Sequence, residues 1–165
     1  MGNSISSKKE LGAENRQERL EMAWWIVGFV DGEGTFSVSV FKNSTTKSGW
    51  QVFPEFVITQ GERSISALRL VKKFFGLGSI YINRRHDNHR ENLYRYCVRS
   101  VKDLSSTIVT FFDQYLLKSD KKSDFQKFKK CLMLIEKKQH LTVEGLEKIR
   151  QIVKTMNKGK QSSNL

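Results

Sequence analysis

Residues 25–34 read Trp25-Ile26-Val27-Gly28-Phe29-Val30-Asp31-Gly32-Glu33-Gly34, an apolar run that breaks into two carboxylates set among three glycines. Upstream, Leu20, Met22, Ala23, Trp24, Ile26 and Val27 recur at helical spacing, with no proline to interrupt them. The pattern predicts a helix that ends near Asp31. Free carbonyls at a helix C-terminus carry partial negative charge, so an acid there is disfavoured by roughly 0.3–1 kcal/mol. Two acids at that pole, in a chain of formal charge +12, point to a cation from outside, a hard divalent metal ion first. A solvated glycine turn would use the same letters. The next seven residues favour the site: Thr35-Phe36-Ser37-Val38-Ser39-Val40-Phe41 alternates polar with apolar, the period of a strand with one wet face.

Helix, acidic glycine turn and amphipathic strand resemble the LAGLIDADG homing endonucleases, whose namesake motif aligns with Ile26 to Gly34 position by position. The letters depart from the name at Ile26, Val27, Phe29 and Val30, at Gly32 for the second Ala, and at Glu33 for the second Asp, which keeps a carboxylate on a longer arm. The order of later elements extends the resemblance from about residue 20 to about residue 138.

Further along, residues 42–49 form a long polar tip containing Lys42, Asn43 and Lys47. Gln51 to Gln60 alternates again, with Val52, Pro54, Phe56 and Ile58 on one face and Gln51, Phe53, Glu55, Val57 and Thr59 on the other. Pro54 argues for an edge position or a bulge in that strand. Ser64 to Phe75 has helical periodicity, with Ser64 as N-cap and Gly76 as stop. Gly76-Leu77-Gly78 follows a helix and precedes a strand, the reverse of a dinucleotide fingerprint, and no small-molecule substrate is expected. Residues 79–83 and 92–100 read as a second hairpin, with Tyr81, Asn83, Arg95 and Arg99 opposite its apolar positions and Arg84 and Arg85 in its turn. Helical patterns then cover 101–115 and 125–138.

From Thr35 to Ser100 there are 11 Lys and Arg against 4 Asp and Glu, a net of +7 on four predicted strands. Such a β-surface suits the DNA major groove, where each base pair shows a distinct donor and acceptor pattern. The fold class expected is α+β. The length of 165 residues and 38% apolar content suit one domain, placed at 18–153 between a disordered tail over 1–17 and a disordered basic tail over 154–165. No run of about 18 apolar residues exists, so no membrane partner is expected. Cys97 and Cys131 lack metal-ligand spacing and read as reduced packing residues of an intracellular protein.

The resemblance implies an αββαββα fold, an antiparallel four-stranded sheet that saddles DNA, further C-terminal helices, and phosphodiester hydrolysis at a long pseudo-palindromic site. It implies that Glu33 and the Gly32 backbone ligate Mg²⁺ or another divalent ion such as Mn²⁺, and that Gln60 positions the attacking water. A basic linker supplies the catalytic lysine, Lys118 or Lys121, with Lys122 as a third choice. Asp31 either caps the turn or touches metal. The DNA-contacting set is Ser37, Ser39, Phe41, Lys42, Asn43, Lys47, Gln51, Phe53, Glu55, Val57, Thr59, Tyr81, Asn83, Arg84, Arg85, Arg95 and Arg99, with Arg63 on a phosphate. One motif per chain implies a homodimer meeting at Trp24, Val27, Gly28 and Asp31. Family habit places such a protein in a mitochondrion or chloroplast, encoded within an intron. The alternative on the same scaffold is a non-catalytic nucleic-acid-binding protein or an intron-splicing maturase.

Overall fold

A computed structural model describes residues 3–46, 48–84 and 92–157, with side chains from residue 15 onward. The order is α1 (Asn3–Glu33), β1 (Gly34–Lys42), β2 (Trp50–Gly61), a 3-10 turn Glu62–Ser64, α2 (Ile65–Phe75), β3 (Ser79–Asn83) and β4 (Leu93–Val98). Then α3 (Val101–Asp103) runs through a π-helical stretch, Leu104–Val109, into α4 (Thr110–Gln114), followed by α5 (Lys121–Glu136) and α6 (Val143–Val153). The four strands form one antiparallel sheet in the order β1-β2-β4-β3. This is the expected α+β architecture.

Side-chain alternation splits the sheet into two unlike faces. Phe36 and Val38 on β1, Phe56 and Ile58 on β2, and Tyr96 and Val98 on β4 are buried in the core shared with the helices. Phe36 is its hub. Its ring stacks on Phe56 at 5.0 Å and lies 5.2 to 5.5 Å from Phe112, Phe125 and Phe128 of α4 and α5. Ala23, Ile26, Val27 and Val30 bring α1 into the same core at the i, i+3, i+4, i+7 spacing of one helical face. The opposite sheet face carries Ser37, Ser39 and Phe41, Phe53, Glu55, Val57 and Thr59, Arg95 and Cys97, and Tyr81 and Asn83, as the strand registers require.

The chain differs from expectation at several points. α1 begins at Asn3, so the residues from 3 to 17 read as a disordered tail are helical; Lys, Glu and Ala without proline favour that state. The expected C-terminal tail starts too early at 154: Met156 is buried, and the Asn157 amide donates to the Phe36 carbonyl at 3.1 Å while its backbone N–H donates to Asp124 at 3.1 Å. Residues 158–165 lie outside the described residues. Pro54 sits in a central strand, yet pairing of β2 with β4 starts only at Phe56, so the proline occupies a stretch bare on that side. Gly76 ends α2 as expected, with φ 69°. Cys97 and Cys131 are free and buried, and burial pushes the Cys131 thiol up to about 12.

Candidate active site and nucleic-acid interface

At the C-terminus of α1 the two acids have different fates. Asp31 accepts hydrogen bonds from the backbone N–H of Lys118 at 2.8 Å, the backbone N–H of Ser119 at 3.2 Å and the Ser119 hydroxyl at 2.7 Å. Its position at the negative pole is therefore compensated from within the chain, by donors of the segment before α5. Burial alone would raise its carboxyl, but these hydrogen bonds and the charge of Lys121 outweigh it and hold the group below the ordinary 3.8. Glu33 is exposed and has no hydrogen-bond or ion-pair partner among the described residues. Only one of the two acids is thus left to take an external cation.

Gly34 makes this junction possible. A Cβ there would lie 2.6 Å from Val30 Cγ1 and 2.9 Å from the Val30 carbonyl oxygen, so the helix can turn straight into β1 only through a glycine. The Gly34 carbonyl accepts from the Lys121 ammonium at the start of α5. Of the three lysines left open by the sequence, Lys121 is the one whose ammonium the structure brings to the motif. Lys118 contributes its backbone N–H to Asp31, and Lys122 makes its backbone contact to Ser119. Gln60 lies near the end of β2 opposite Tyr94, half-buried. Gly32 is exposed beside Glu33, and Arg63 is exposed in the 3-10 turn after β2.

The wet sheet face gathers most of the expected DNA-contacting residues. Ser39, Phe41, Tyr81 and Asn83 are exposed on it, and Ser37, Gln51, Phe53 and Thr59 are half-buried. Lys42 and Asn43 stand at the far end of β1, where the Asn43 amide donates to Gln51 at 2.6 Å and its Oδ1 accepts from Thr45, shaping the hairpin tip. Arg84 is exposed after β3, while Lys47 and Arg85 lie outside the described residues.

Four expected contacts need correction. Val57 is 5% exposed, so it forms a floor to the face and does not offer a contact. Glu55, 8% exposed, is bound by Arg95 at 3.0 Å and by the Nε of Arg99, so it holds arginines and leaves no open carboxylate. Val27, read as a dimer contact, is 3% exposed and belongs to the core; of the other expected contacts on the same helix Trp24 and Gly28 face outward, with Leu20 beside them. Asp31 is engaged with residues 118 and 119 of its own chain.

Sequence reasoning missed Ser119, Asn157 and Arg150, whose guanidinium lies 3.9 Å from the Trp50 ring centroid at the end of the first hairpin. None carries a local signal, because each acts on a residue far away in the chain. Among the described residues no cluster of three or more His, Cys, Asp or Glu could hold a metal ion, and no helix is long and apolar enough to cross a membrane.

Known proteins resemble this chain in sequence and fold. The LAGLIDADG endonuclease profile matches residues 26–132. The chain is 33% identical over 153 residues to probable intron-encoded endonuclease 3 of Neurospora crassa, an alignment covering 92% of this chain and 27% of that protein. It is 27% identical over 164 residues to DNA endonuclease I-CeuI of Chlamydomonas moewusii, covering 97% and 73%. It therefore spans about a quarter of the length of the first curated relatives it matches. Among solved structures, the homing endonuclease I-TnaI is 44% identical with a TM-score of 0.72, the match covering 82% of this chain and 87% of that one. I-SmaMI, bound to an uncleaved DNA target in the presence of calcium ions, is 41% identical with a TM-score of 0.75, covering 82% and 45%. By profile, sequence and fold alike, the chain belongs to the LAGLIDADG endonuclease family.

Proposed function

We propose that the chain is a site-specific, Mg²⁺-dependent nuclease that makes double-strand breaks in DNA by phosphodiester hydrolysis, with two copies reading a pseudo-palindromic site. The observation that carries this reading is the split between Asp31, tied to the chain, and Glu33, exposed and without a partner among the described residues at the start of the wet sheet face. The donor set fits Mg²⁺, which takes one or two carboxylates and fills the rest of its shell with water and substrate oxygens. Glu33 and the Gly32 carbonyl are the ligands this chain would offer, and when bound the ion supplies Lewis acidity for water activation and for charge on the leaving oxygen. Lys121, anchored at the Gly34 carbonyl, puts a positive charge beside the motif to offset phosphate charge. Gln60, at the end of β2, presents an amide to orient the attacking water.

Two strands need two acidic poles, and this chain has one. Leu20, Trp24 and Gly28 follow one another at i, i+4, i+8 on α1, with both large side chains over 40% exposed and open space above the Gly28 Cα. A second copy laid against that stripe would bring two Glu33 ends together under two sheets. The names of the relatives, several of them intron-encoded, support an organellar gene as the source.

The test is to incubate purified protein with a DNA library, with Mg²⁺ or with EDTA, and to sequence the ends. Discrete, metal-dependent double-strand breaks at one long, roughly two-fold site are expected, and Glu33→Gln is expected to abolish them while binding persists. Tight binding without breaks would move the reading to a splicing maturase or other binding protein; cutting by Glu33→Gln would remove Glu33 from the metal site.

A further inference from the structure

Glu55 is the one charged residue that is buried among those described, its side chain nine-tenths covered, and it lies on the wet sheet face. Burying a carboxylate is costly unless it is paired and hydrogen-bonded. Here both oxygens are used: Oε1 accepts from Arg95 Nη2 at 3.0 Å and Oε2 from Arg99 Nε. Arg95 pairs across from Thr59, so its stem must run back along β4 past Val57 and Cys97 to reach Glu55, and both of these are buried although they stand outside the main core. Arg99 is held from further sides, with its guanidinium carbon 4.9 Å from the Tyr81 ring centroid and 5.7 Å from that of Phe53. Both arginines remain about 40% exposed.

We propose that Glu55 is a positioning residue that aims Arg99 at guanine in the major groove, with Arg95 completing the pairing of the buried carboxylate. This rests on the DNA-cleaving reading and adds a base preference to it. An arginine fork reads guanine by donating to O6 and N7 together, which requires a fixed plane and two free donors. Arg99 is bound to Glu55 through Nε and lies against the Tyr81 and Phe53 rings, which fixes the plane; its Nη end makes only a long contact, Nη2 to the Cys97 sulfur, among the described residues, so that end remains for a base. Phosphate binding would call for the opposite design. A carboxylate touching both guanidiniums cancels one of their two charges and repels a phosphate that approaches, so the cluster gives up charge and gains direction. The Cys97 sulfur, 4.0 Å from Arg99 Nη2, lines the same pocket.

The experiment is selection of tight-binding duplexes from a randomised pool by the full chain, its Glu55→Gln, Arg99→Ala and Arg99→Lys variants, with binding to one unselected duplex measured across salt concentrations. The parent is expected to enrich guanine at defined positions. Glu55→Gln should flatten that enrichment at least tenfold while binding the unselected duplex more tightly, with a salt slope steeper by about one unit for the charge released. Arg99→Lys, which keeps the charge and the buried carboxylate but not the fork, should flatten the same positions, so the inference can be checked even if Glu55→Gln does not fold. A purely structural Glu55 would lower the melting temperature and leave the guanine positions and the salt slope unchanged, which overturns the inference. A parent that enriches a site in which no guanine responds to Glu55 or Arg99 overturns it while sparing the DNA reading; a parent that enriches nothing overturns both.

Discussion

The two faces of the one sheet are built from alternate residues of the same four strands, yet they are held by different forces. The helix-side face is aromatic and dry, a set of rings about Phe36 whose order comes from shape and from water excluded on all sides. The other face keeps polar side chains in place with directed bonds, Glu55 to two arginines and Asn43 to Gln51. One face makes the fold stable, and the other uses that stability to hold charged groups in fixed orientations. A substitution should therefore register mainly as stability on the first face and mainly as recognition on the second.

The sharpest break of that contrast is Phe36→Ala, which empties the hub of the core and should cost about 3–5 kcal/mol in urea unfolding. A loss under about 1 kcal/mol would mean that the core does not depend on that ring. Asp31→Asn lies between the two faces and should cost about 1–3 kcal/mol at neutral pH, because an amide cannot accept all three hydrogen bonds that the carboxylate accepts. Its pH behaviour gives the sign. A carboxyl held below 3.8 in the folded chain contributes stability that is fully present above the unfolded value and is lost as pH falls through the folded one. The parent should thus lose stability faster than Asp31→Asn as pH drops below about 4, bringing the two curves together in acid; parallel curves would show that Asp31 is not ionised in that bond. Smallest in stability is Ser39→Ala on the exposed face, within about 0.5 kcal/mol, and a larger shift would mean that the wet face carries load after all.

Much of this was legible in the chain because it is periodic. The alternation through Thr35 to Phe41 and Gln51 to Gln60 assigned both sheet faces, and the acidic glycine turn located the motif. The phase of α1 is legible too: Ala23, Ile26, Val27 and Val30 form one stripe, which turns Val27 inward. Glu55 was correctly placed on the wet face, but its burial depends on Arg95 and Arg99, some 40 residues later, and no local pattern encodes that. The choice among Lys118, Lys121 and Lys122 was open for a similar reason, since it turns on where α5 begins, and α5 starts four residues before the apolar periodicity does. The π-helical stretch at Leu104–Val109 has no sequence signal that we can name.

The carboxylate of Asp31 is secured by residues 87 and 88 positions further along, and the Phe36 carbonyl by an asparagine 121 positions away. On a ribosome adding roughly 5–20 residues per second, the partner of Phe36 emerges about 6 to 24 seconds after Phe36 itself. The acid of the motif and the strand that follows it are thus fastened only after the chain has grown by a further 87 to 121 residues. A chain cut before Lys118 has the acids of the motif but not the donors that hold Asp31.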